Sequence, residues 1–453
     1  MPVLNYIKTK GLWLLSFSIL IGSQHASAQD AKSFSLKDAV AYSLQNHPSV
    51  VAYGNDIKAA KQKSIEALSA YLPQITGTGT LDDNLQRQIT VIPAGTLSPQ
   101  EIKLQLGTQY LTNLYGEADQ VIYDQSLINS LKANIPNAQI ALLNKQKNDD
   151  NLAYNTALAY YQVLIYKEQE KLLIENERKL AEILGIQKLQ LDKGVIKEVD
   201  YDRTKVNYNS ILSQKKLAQT NSELSLNQLK IDMGLPLEAK IVITDSLNAD
   251  KDLSLSGAST NFDEKQALDY KIQFQNLMLQ QIDLSRKQAS FLPTLNGYAR
   301  YGAQALGNDF SQQYDAFYNY SVIGLKLNVP VFSGFRRISQ VKESELSLSN
   351  AKINLGISAD NLKLQMLNSN EKLLSSYTNL SSNRENLDLA KDVLKTTTLQ
   401  YQQGVASASD LLNSDYALKE AQSNFINSLY NYLISALDIQ RTQGTIKQYI
   451  NQL

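Results

Sequence analysis

Two regions of the chain alternate apolar and polar residues with a period of two, the pattern of a β-strand with one apolar face. In the first region the alternation covers residues 74–81 and resumes over 102–110. The stretch between them is polar and contains prolines and a glycine, which favour a loop. These features predict a β-hairpin at 74–118 whose connection lies near residues 82–101.

The second region repeats this arrangement over residues 295–303 and 323–329. Its connection, near residues 307–315, is shorter than that of the first region. A second β-hairpin is therefore predicted at 293–330. Strands of about ten residues are long enough to cross a bilayer when tilted.

A stripe of apolar residues with heptad-like spacing follows each hairpin. It predicts long helices over about 124–192 and about 334–402. A helix of this size would measure about 100 Å at 1.5 Å per residue, far more than a globular domain. A glycine ends each of them, and a further helix is predicted after each, at about 198–233 and 407–442.

Two shorter helices are predicted near the N-terminus. Ser35 and Asp38 have the spacing of a capping-box variant at the start of the first. His47 precedes Pro48, which ends that helix and suits the first turn of the next, and Pro73 stops the second. We expect a capping or structural role for His47, because the sequence offers no partner residues for a metal site.

The chain is internally duplicated. The motif YLPQITG at 71–77 returns as FLPTLNG at 291–297, and LQLDKGV at 189–195 returns as LQYQQGV at 399–405. A repeat of this size is far longer than the 20–50 residues of a solenoid unit. It indicates two similar half-proteins, each with a hairpin and long helices.

Residues 1–28 have the order of a secretory signal peptide, with a basic start, an apolar run and a small-residue cleavage site. No later stretch reaches the roughly 18 apolar residues of a spanning helix. We therefore expect an exported protein without a transmembrane helix. Its remaining length divides into a first structural repeat at 29–235, a linker at 236–262 and a second structural repeat at 263–453.

The amino-acid composition and the motifs that are missing from the sequence argue against several classes of function. The chain has 453 residues with 44 basic and 44 acidic side chains, so its charge does not favour nucleic acid. It has no cysteine, which excludes a disulfide, a thiol nucleophile and a lipidated N-terminal cysteine. Paired carboxylates at Asp82-Asp83 and Asp149-Asp150 are interpreted as solvated, and no phosphate-binding or nucleophile-elbow motif occurs. We expect no catalytic residue, no metal site and no cofactor. We therefore expect that the protein is not an enzyme.

The strands predicted in one chain are too few to close a membrane β-barrel. Four strands are too few for a membrane barrel, which needs about eight, and open strand edges are not tolerated in lipid. Three chains would supply twelve strands, an even number within the known range. The alternative is a secreted or surface coiled-coil protein with a structural or adhesive role, whose strands pack as small sheets.

Several motifs occur in an order typical of one family. They are SLKDAVAYSLQNHP at 35–48, YLPQITG at 71–77, VPVFSGFRR at 329–337 and YQQG at 401–404, with Asp410 behind the last. The chain resembles the TolC family of outer-membrane efflux and secretion channels across essentially its whole mature length.

This resemblance implies a mixed α and β fold, with a trimeric 12-stranded outer-membrane β-barrel continued by a long periplasmic α-helical barrel. It implies a homotrimer in outer-membrane lipid that docks a periplasmic adaptor (membrane fusion) protein and an inner-membrane pump. The function it implies is that of a passive exit duct for tripartite efflux or type I secretion.

The resemblance also implies site residues. Those at the periplasmic aperture are Asp200, Asp410 and Tyr401. Those at the adaptor-contacting helix tips are Gly194, Val195, Gly404 and Val405. Two positions depart from the family pattern, because Ala406 replaces a gate arginine and Asn413 a second aspartate. Each aspartate also suits a simpler role as a first-turn acid favoured by the helix dipole, whereas a ring of three would favour cations.

Overall fold

The computed structural model describes residues 32–95, 99–247 and 262–452, so the predicted signal peptide at 1–28 lies outside the described residues. The fold is mixed α and β, as predicted, with long paired helices continuing from a four-stranded sheet. Among the helices of the described ranges, none has both the length and the hydrophobicity needed to cross a bilayer.

The N-terminal helices begin where the sequence predicts. Helix α1 (Leu36–Asn46) carries a capping box, in which the Asp38 N–H donates to Ser35 Oγ at 3.2 Å. Helix α2 (Pro48–Ser69) is capped by His47, whose Nδ1 accepts the Ser49 N–H at 3.1 Å. The expected capping role of His47 is confirmed.

The long strands form one antiparallel sheet in the order β2-β5-β7-β8. They are β2 (Gln74–Asp83), β5 (Tyr110–Tyr123), β7 (Thr294–Gly307) and β8 (Phe317–Asn328). β7 and β8 form the hairpin predicted at 293–330. β5 and β7, one from each predicted repeat, pair at the centre, and β2 and β8 are the edges.

The first hairpin differs from the prediction. Residues 102–110 were predicted to pair with β2, and this was wrong for all of them except Tyr110, which pairs with Asp83. Ile102–Gln105 forms β4, which pairs with β3 (Ile89–Ile92) in a separate small hairpin. The partner of β2 is β5, which continues to Tyr123, past the predicted end at 118. The sequence conceals β5 because leucine and tyrosine occur on both of its faces.

The strand register gives the sheet two unlike faces. One, here called the apolar face, carries Ile75, Leu81, Leu114, Ile323 and Leu325. The other, here called the polar face, carries Thr76, Thr78, Glu117, Arg300 and Lys326. Ile75 and Ile323 are 80% and 88% exposed, so a single chain leaves the apolar face uncovered.

Long helices make up the rest of the described chain. They are α3 (Gln125–Leu131), α4 (Asn134–Asp192), α5 (Glu198–Asp232), α6 (Leu268–Ala289), α7 (Arg336–Gln402), α8 (Ala408–Gln443) and α9 (Ile446–Gln452). Helix α4 packs on α5, and α7 packs on α8. The run predicted at 124–192 is interrupted near residue 133, because Pro136 has no N–H to bond to the carbonyl of Lys132.

The segment predicted as a linker at 236–262 contains a short strand, β6 (Ile241–Ile243), which pairs in parallel with β1 (Lys32–Phe34). Ile241 and Ile243 are buried. Residues 248–261 lie outside the described ranges. The first part of the segment is thus built into the protein interior, and the division into two repeats stays a prediction.

The main hydrophobic core lies where α1, α4, α8, α9 and the β1–β6 pair meet. At its centre the Tyr160 hydroxyl donates to Asp245 Oδ2 at 2.8 Å. The same carboxylate oxygen accepts the Leu36 N–H at 2.8 Å, which holds the start of α1 in place. Burial, reinforced by Asp245, raises the pKa of Tyr160, so the hydroxyl keeps its proton.

Two glycines that end equivalent helices allow a matched stability test. Gly234 ends α5 with φ 72°, and Gly444 ends α8 with φ 73°. An alanine at either position would bear the left-handed penalty of about 1–2 kcal/mol. Only at Gly234 would the added Cβ lie 2.8 Å from His47 Cα and 3.2 Å from Pro48 Cδ.

We expect Gly234→Ala to lower the melting temperature of the helices well beyond the loss caused by Gly444→Ala. The cause is a backbone contact that can be relieved only by moving α1 and α2 away from α5. Circular dichroism at 222 nm measures both variants. Equal losses would contradict this reading of the contact.

Candidate aperture at the helix tips

The turn between α4 and α5 and the turn between α7 and α8, here called the two tip turns, share one geometry. The first contains Gly194 and Val195, and the second contains Gly404 and Val405. Each glycine has positive φ, at 71° and 73°, and each valine donates its N–H back into the preceding helix. This is the Schellman ending, which requires a left-handed residue. The valines are 69% and 75% exposed, so both tips present an apolar side chain to the surroundings.

Asp410 lies in the first turn of α8 and belongs to a capping box. Its Oδ2 accepts the Ser407 hydroxyl at 2.7 Å and the Ser407 N–H at 3.0 Å. The Asp410 N–H donates to Ser407 Oγ at 3.2 Å in return. These hydrogen bonds hold the pKa of Asp410 below its usual range, so the carboxylate stays charged to lower pH.

Asp200 occupies the equivalent place in α5 but has a different partner. The N-cap residue is Lys197, and its side chain makes no capping hydrogen bond. Asp200 Oδ1 lies 3.7 Å from the guanidinium nitrogen Nη1 of Arg203, about one turn further along the helix. The two aspartates are therefore not equivalent locally: Asp410 is part of a capping box, whereas Asp200 is the half-buried member of an ion pair with an exposed arginine.

Tyr401 connects the two helix pairs near their tips. Its hydroxyl donates to Gln190 Oε1 at 3.3 Å, joining α7 to α4. A cleft just behind the tips lies between α5 and α8, where Asp202 and Arg203 face Asn413 and other residues of α8. Asn413 thus shares a cleft with a basic residue of the other helix pair. The roles implied for Asp200, Asp410 and Tyr401 stay predictions.

One buried polar cluster was not predicted from the sequence. Asp415 Oδ2 lies 2.5 Å from Lys419 Nζ and accepts a hydrogen bond from Asn207 Nδ2 at 3.2 Å. Asn207 and Asp415 are 4% and 7% exposed. The Asp415–Lys419 spacing of one helical turn was a visible signal, but the partner on α5 is distant in sequence. This cluster, here called the α5–α8 polar cluster, joins the two helix pairs.

A second cross-link between the helix pairs lies further from the tips. Asn176 Nδ2 of α4 donates to Gln422 Oε1 of α8 at 2.9 Å, and both side chains are buried. Buried amides that pair with each other avoid the cost of an unmade hydrogen bond. Together with the α5–α8 polar cluster, this contact fixes the alignment of α8 against the first helix pair.

Of the two carboxylate pairs interpreted as solvated, Asp82-Asp83 is exposed, whereas Asp149-Asp150 has a structural role instead. Asp149 lies 2.7 Å from Lys145, and Asp150 lies 2.9 Å from Lys447. The two carboxylate side chains are only 17% and 14% exposed, so the solvated interpretation was wrong for this pair. Within the described ranges, no group of three or more histidine, cysteine, aspartate or glutamate residues is arranged to hold a metal ion.

The chain is similar in sequence to outer-membrane efflux and secretion proteins. The outer membrane efflux protein family matches residues 273–445. Outer membrane protein TolC of Vibrio cholerae serotype O1 is 23% identical over 416 residues, covering 89% of this chain and 89% of its own. Alkaline protease secretion protein AprF of Pseudomonas aeruginosa is 21% identical over 436 residues, covering 93% of this chain and 86% of its own.

Solved structures share the fold. CusC aligns with a TM-score of 0.75 at 15% identity, over 90% of this chain and 91% of its own. The Campylobacter jejuni CmeC outer membrane channel aligns with a TM-score of 0.73 at 16% identity, over 92% of this chain and 88% of its own. The likeness therefore extends over about nine-tenths of the chain and concerns the fold.

Proposed function

The chain belongs to the TolC family of outer-membrane efflux and secretion channels, and we propose that it works as a homotrimeric exit duct opened by partner proteins. It lies in the outer membrane, with its helices in the periplasm. The observation that carries the proposal is the four-stranded sheet, which has one exposed apolar face and two unpaired edges. Such a sheet is stable in lipid only when its edges are closed.

The sheet order allows closure by further copies of the chain. β2, β5, β7 and β8 alternate in direction, so β8 of one copy can pair antiparallel with β2 of the next. Three copies supply twelve strands, which is a closed and even-numbered barrel. The apolar face then meets lipid, and the polar face lines the lumen.

The helices support the same assembly. Exposed leucines recur at heptad spacing, with Leu217 and Leu224 on α5 at 61% each and Leu367 and Leu374 on α7 at 63% and 54%. Apolar stripes of this kind are normally buried against other helices, and the helices of further copies would bury them. Helix α7 alone has 67 residues, about 100 Å of tunnel length.

We assign the tips to the periplasmic partners. The exposed Val195 and Val405 would contact a periplasmic adaptor protein that links the duct to an inner-membrane pump. Asp200, Asp410 and Tyr401 would line the closed aperture in rings of three. Cargo choice would rest with the pump. The alternative of a surface coiled-coil adhesin leaves the exposed apolar face of the sheet without a purpose.

Planar-bilayer recording tests both the channel and its aperture. We expect the resting trimer to conduct weakly and to prefer cations, with divalent ions blocking it, because carboxylate rings favour cations. Asp200→Ala/Asp410→Ala should lower the cation preference several-fold and weaken the divalent block. The control Asp388→Ala removes an exposed carboxylate of α7 away from the tip and should change neither property.

Two outcomes would contradict parts of this proposal. An assembled protein that never conducts would contradict the exit duct itself. A conducting double variant with unchanged selectivity and block would return both aspartates to the role of helix-end acids.

A further inference from the structure

A charged pair spans the two central strands on the polar face of the sheet. Glu117 of β5 and Arg300 of β7 are direct cross-strand partners. Glu117 Oε2 accepts Arg300 Nε at 2.7 Å and lies 2.5 Å from Arg300 Nη2. The guanidinium carbon lies 4.6 Å from the centroid of the Tyr115 ring. Glu117 is therefore held by two donors of one guanidinium, which in turn lies over an aromatic ring.

The wall around this pair is closely packed. An added Cβ at Gly302 would lie 2.6 Å from Tyr115 Cβ, and one at Gly324 would lie 2.7 Å from Tyr298 Cζ. Both glycines therefore lie under tyrosine side chains of neighbouring strands. Tyr320 Oη also donates to Asn113 Oδ1 at 2.9 Å, which ties β8 to β5. These contacts limit the positions open to Tyr115 and to the guanidinium above it.

The pair remains accessible to solvent from the polar face. The Arg300 side chain is 37% exposed and that of Glu117 is 17% exposed. An unpaired carboxylate at this place would attract cations, and an unpaired guanidinium would attract anions. Because each charge lies against its opposite, the local field toward solvent is small.

The other charges of the neighbouring polar face are balanced as well. Asp119 follows Glu117 by two residues on β5, and Lys326 lies on the same face of β8. They have opposite charges, so removing either Glu117 or Arg300 alone would leave one uncompensated charge at this level in each chain.

We propose that Glu117 and Arg300 form a charge-balanced ring inside the barrel, which keeps this section of the duct from selecting cargo by charge. The inference rests on the proposed trimeric channel, in which the pair occurs three times around the lumen. According to this proposal, the charge of either residue affects the charge selectivity of the duct once the charge of its partner has been removed.

The absence of cysteine from the chain permits a direct measurement of the local potential. Thr76→Cys places the only thiol on the polar face, directly opposite Glu117 in the register of β2 and β5. Its modification rate is measured in reconstituted vesicles with two methanethiosulfonates, the cationic trimethylammonioethyl and the anionic sulfonatoethyl reagent. Each rate is divided by the rate with a free thiol in solution.

We expect the cation-to-anion rate ratio to be near one in the Thr76→Cys parent. At low salt, one unpaired charge within about 7 Å changes each rate by roughly threefold in opposite directions. Arg300→Gln should therefore raise the ratio by about fivefold or more. Glu117→Gln should lower it by a smaller factor, because Arg300 lies one strand further from residue 76 than Glu117 does. The double variant Glu117→Gln/Arg300→Gln should return it to the parent value.

The outcomes separate this inference from the proposed function. A parent thiol that neither reagent modifies would mean that the polar face lines no aqueous lumen, and the channel itself would fail. A reactive thiol whose rate ratio ignores both single substitutions would overturn the charge-balanced ring alone. If one single variant does not assemble, the other still tests the ring, because it should shift the cation-to-anion rate ratio in the opposite direction. Assembly of only the double variant would make the pair a stabilising contact and overturn the ring.

Discussion

Ile323→Arg should abolish the assembled outer-membrane channel, whereas Thr78→Arg should leave it intact. Both residues lie near the middle of an edge strand, but on opposite faces of the sheet. Ile323 is 88% exposed on the apolar face, which would contact lipid. An arginine near the bilayer midplane costs about 2–4 kcal/mol, and a trimer bears that cost three times. Thr78 lies on the polar face, which would line the lumen, where a charged side chain would stay in water.

The measurement for this pair of variants is the amount of heat-resistant oligomer in outer-membrane fractions, resolved by gel electrophoresis without boiling. Loss of oligomer in both variants would indicate that an arginine in an edge strand prevents assembly for a reason other than contact with lipid. Full assembly of Ile323→Arg would contradict the assignment of the apolar face to lipid.

Lys419→Met should loosen the contact between the helix pairs by about 3 kcal/mol per chain. Lys419 neutralises Asp415 inside the α5–α8 polar cluster, and its removal leaves a buried carboxylate unpaired. Breaking a buried pair in this way typically costs about 3–5 kcal/mol. We expect a lower melting temperature of the helices and a higher resting conductance, because α8 is then held less firmly against α5.

Two further variants separate the buried charge from a general effect of losing a lysine. Lys391→Met removes half of an ion pair whose side chains are 54% and 63% exposed, so its effect should stay within about 0.5 kcal/mol. Asp415→Asn/Lys419→Met restores neutrality and should recover much of the lost stability. An unchanged melting temperature in Lys419→Met would show that the cluster does not hold the helix pairs together.

The sequence predicted the long helices and their tips well, because heptad stripes and helix-ending glycines are local signals. Helix α7 was predicted at about 334–402 and runs from Arg336 to Gln402. The break before α4 was missed, since Pro136 within an otherwise strong stripe was not read as the start of a new helix.

The strands were less predictable for a physical reason. The alternation at Ile102–Gln105 does correspond to a strand, but this strand belongs to a small hairpin between β2 and β5 rather than to the main sheet. β5 lies at the centre of the sheet, yet its faces are mixed: Leu111 and Tyr115 share the polar face with Glu117. Alternation finds strands whose two faces differ, and β5 is not such a strand.

The polar contacts between distant segments were not predictable. Asn207 and Asp415 meet only because the two helix pairs align, and Glu117 meets Arg300 only because β5 pairs with β7. No local pattern marks these partners. Resemblance to a family supplied the candidate tip residues, whereas contacts specific to this chain required its three-dimensional structure.

The native mass of the mature protein in mild detergent tests the central claim most directly. Four strands with two open edges cannot form a membrane pore in one copy, so we expect a stable trimer whose barrel is β-sheet. Multi-angle light scattering with correction for bound detergent gives the number of chains. A folded monomer that inserts into lipid and conducts would contradict the account.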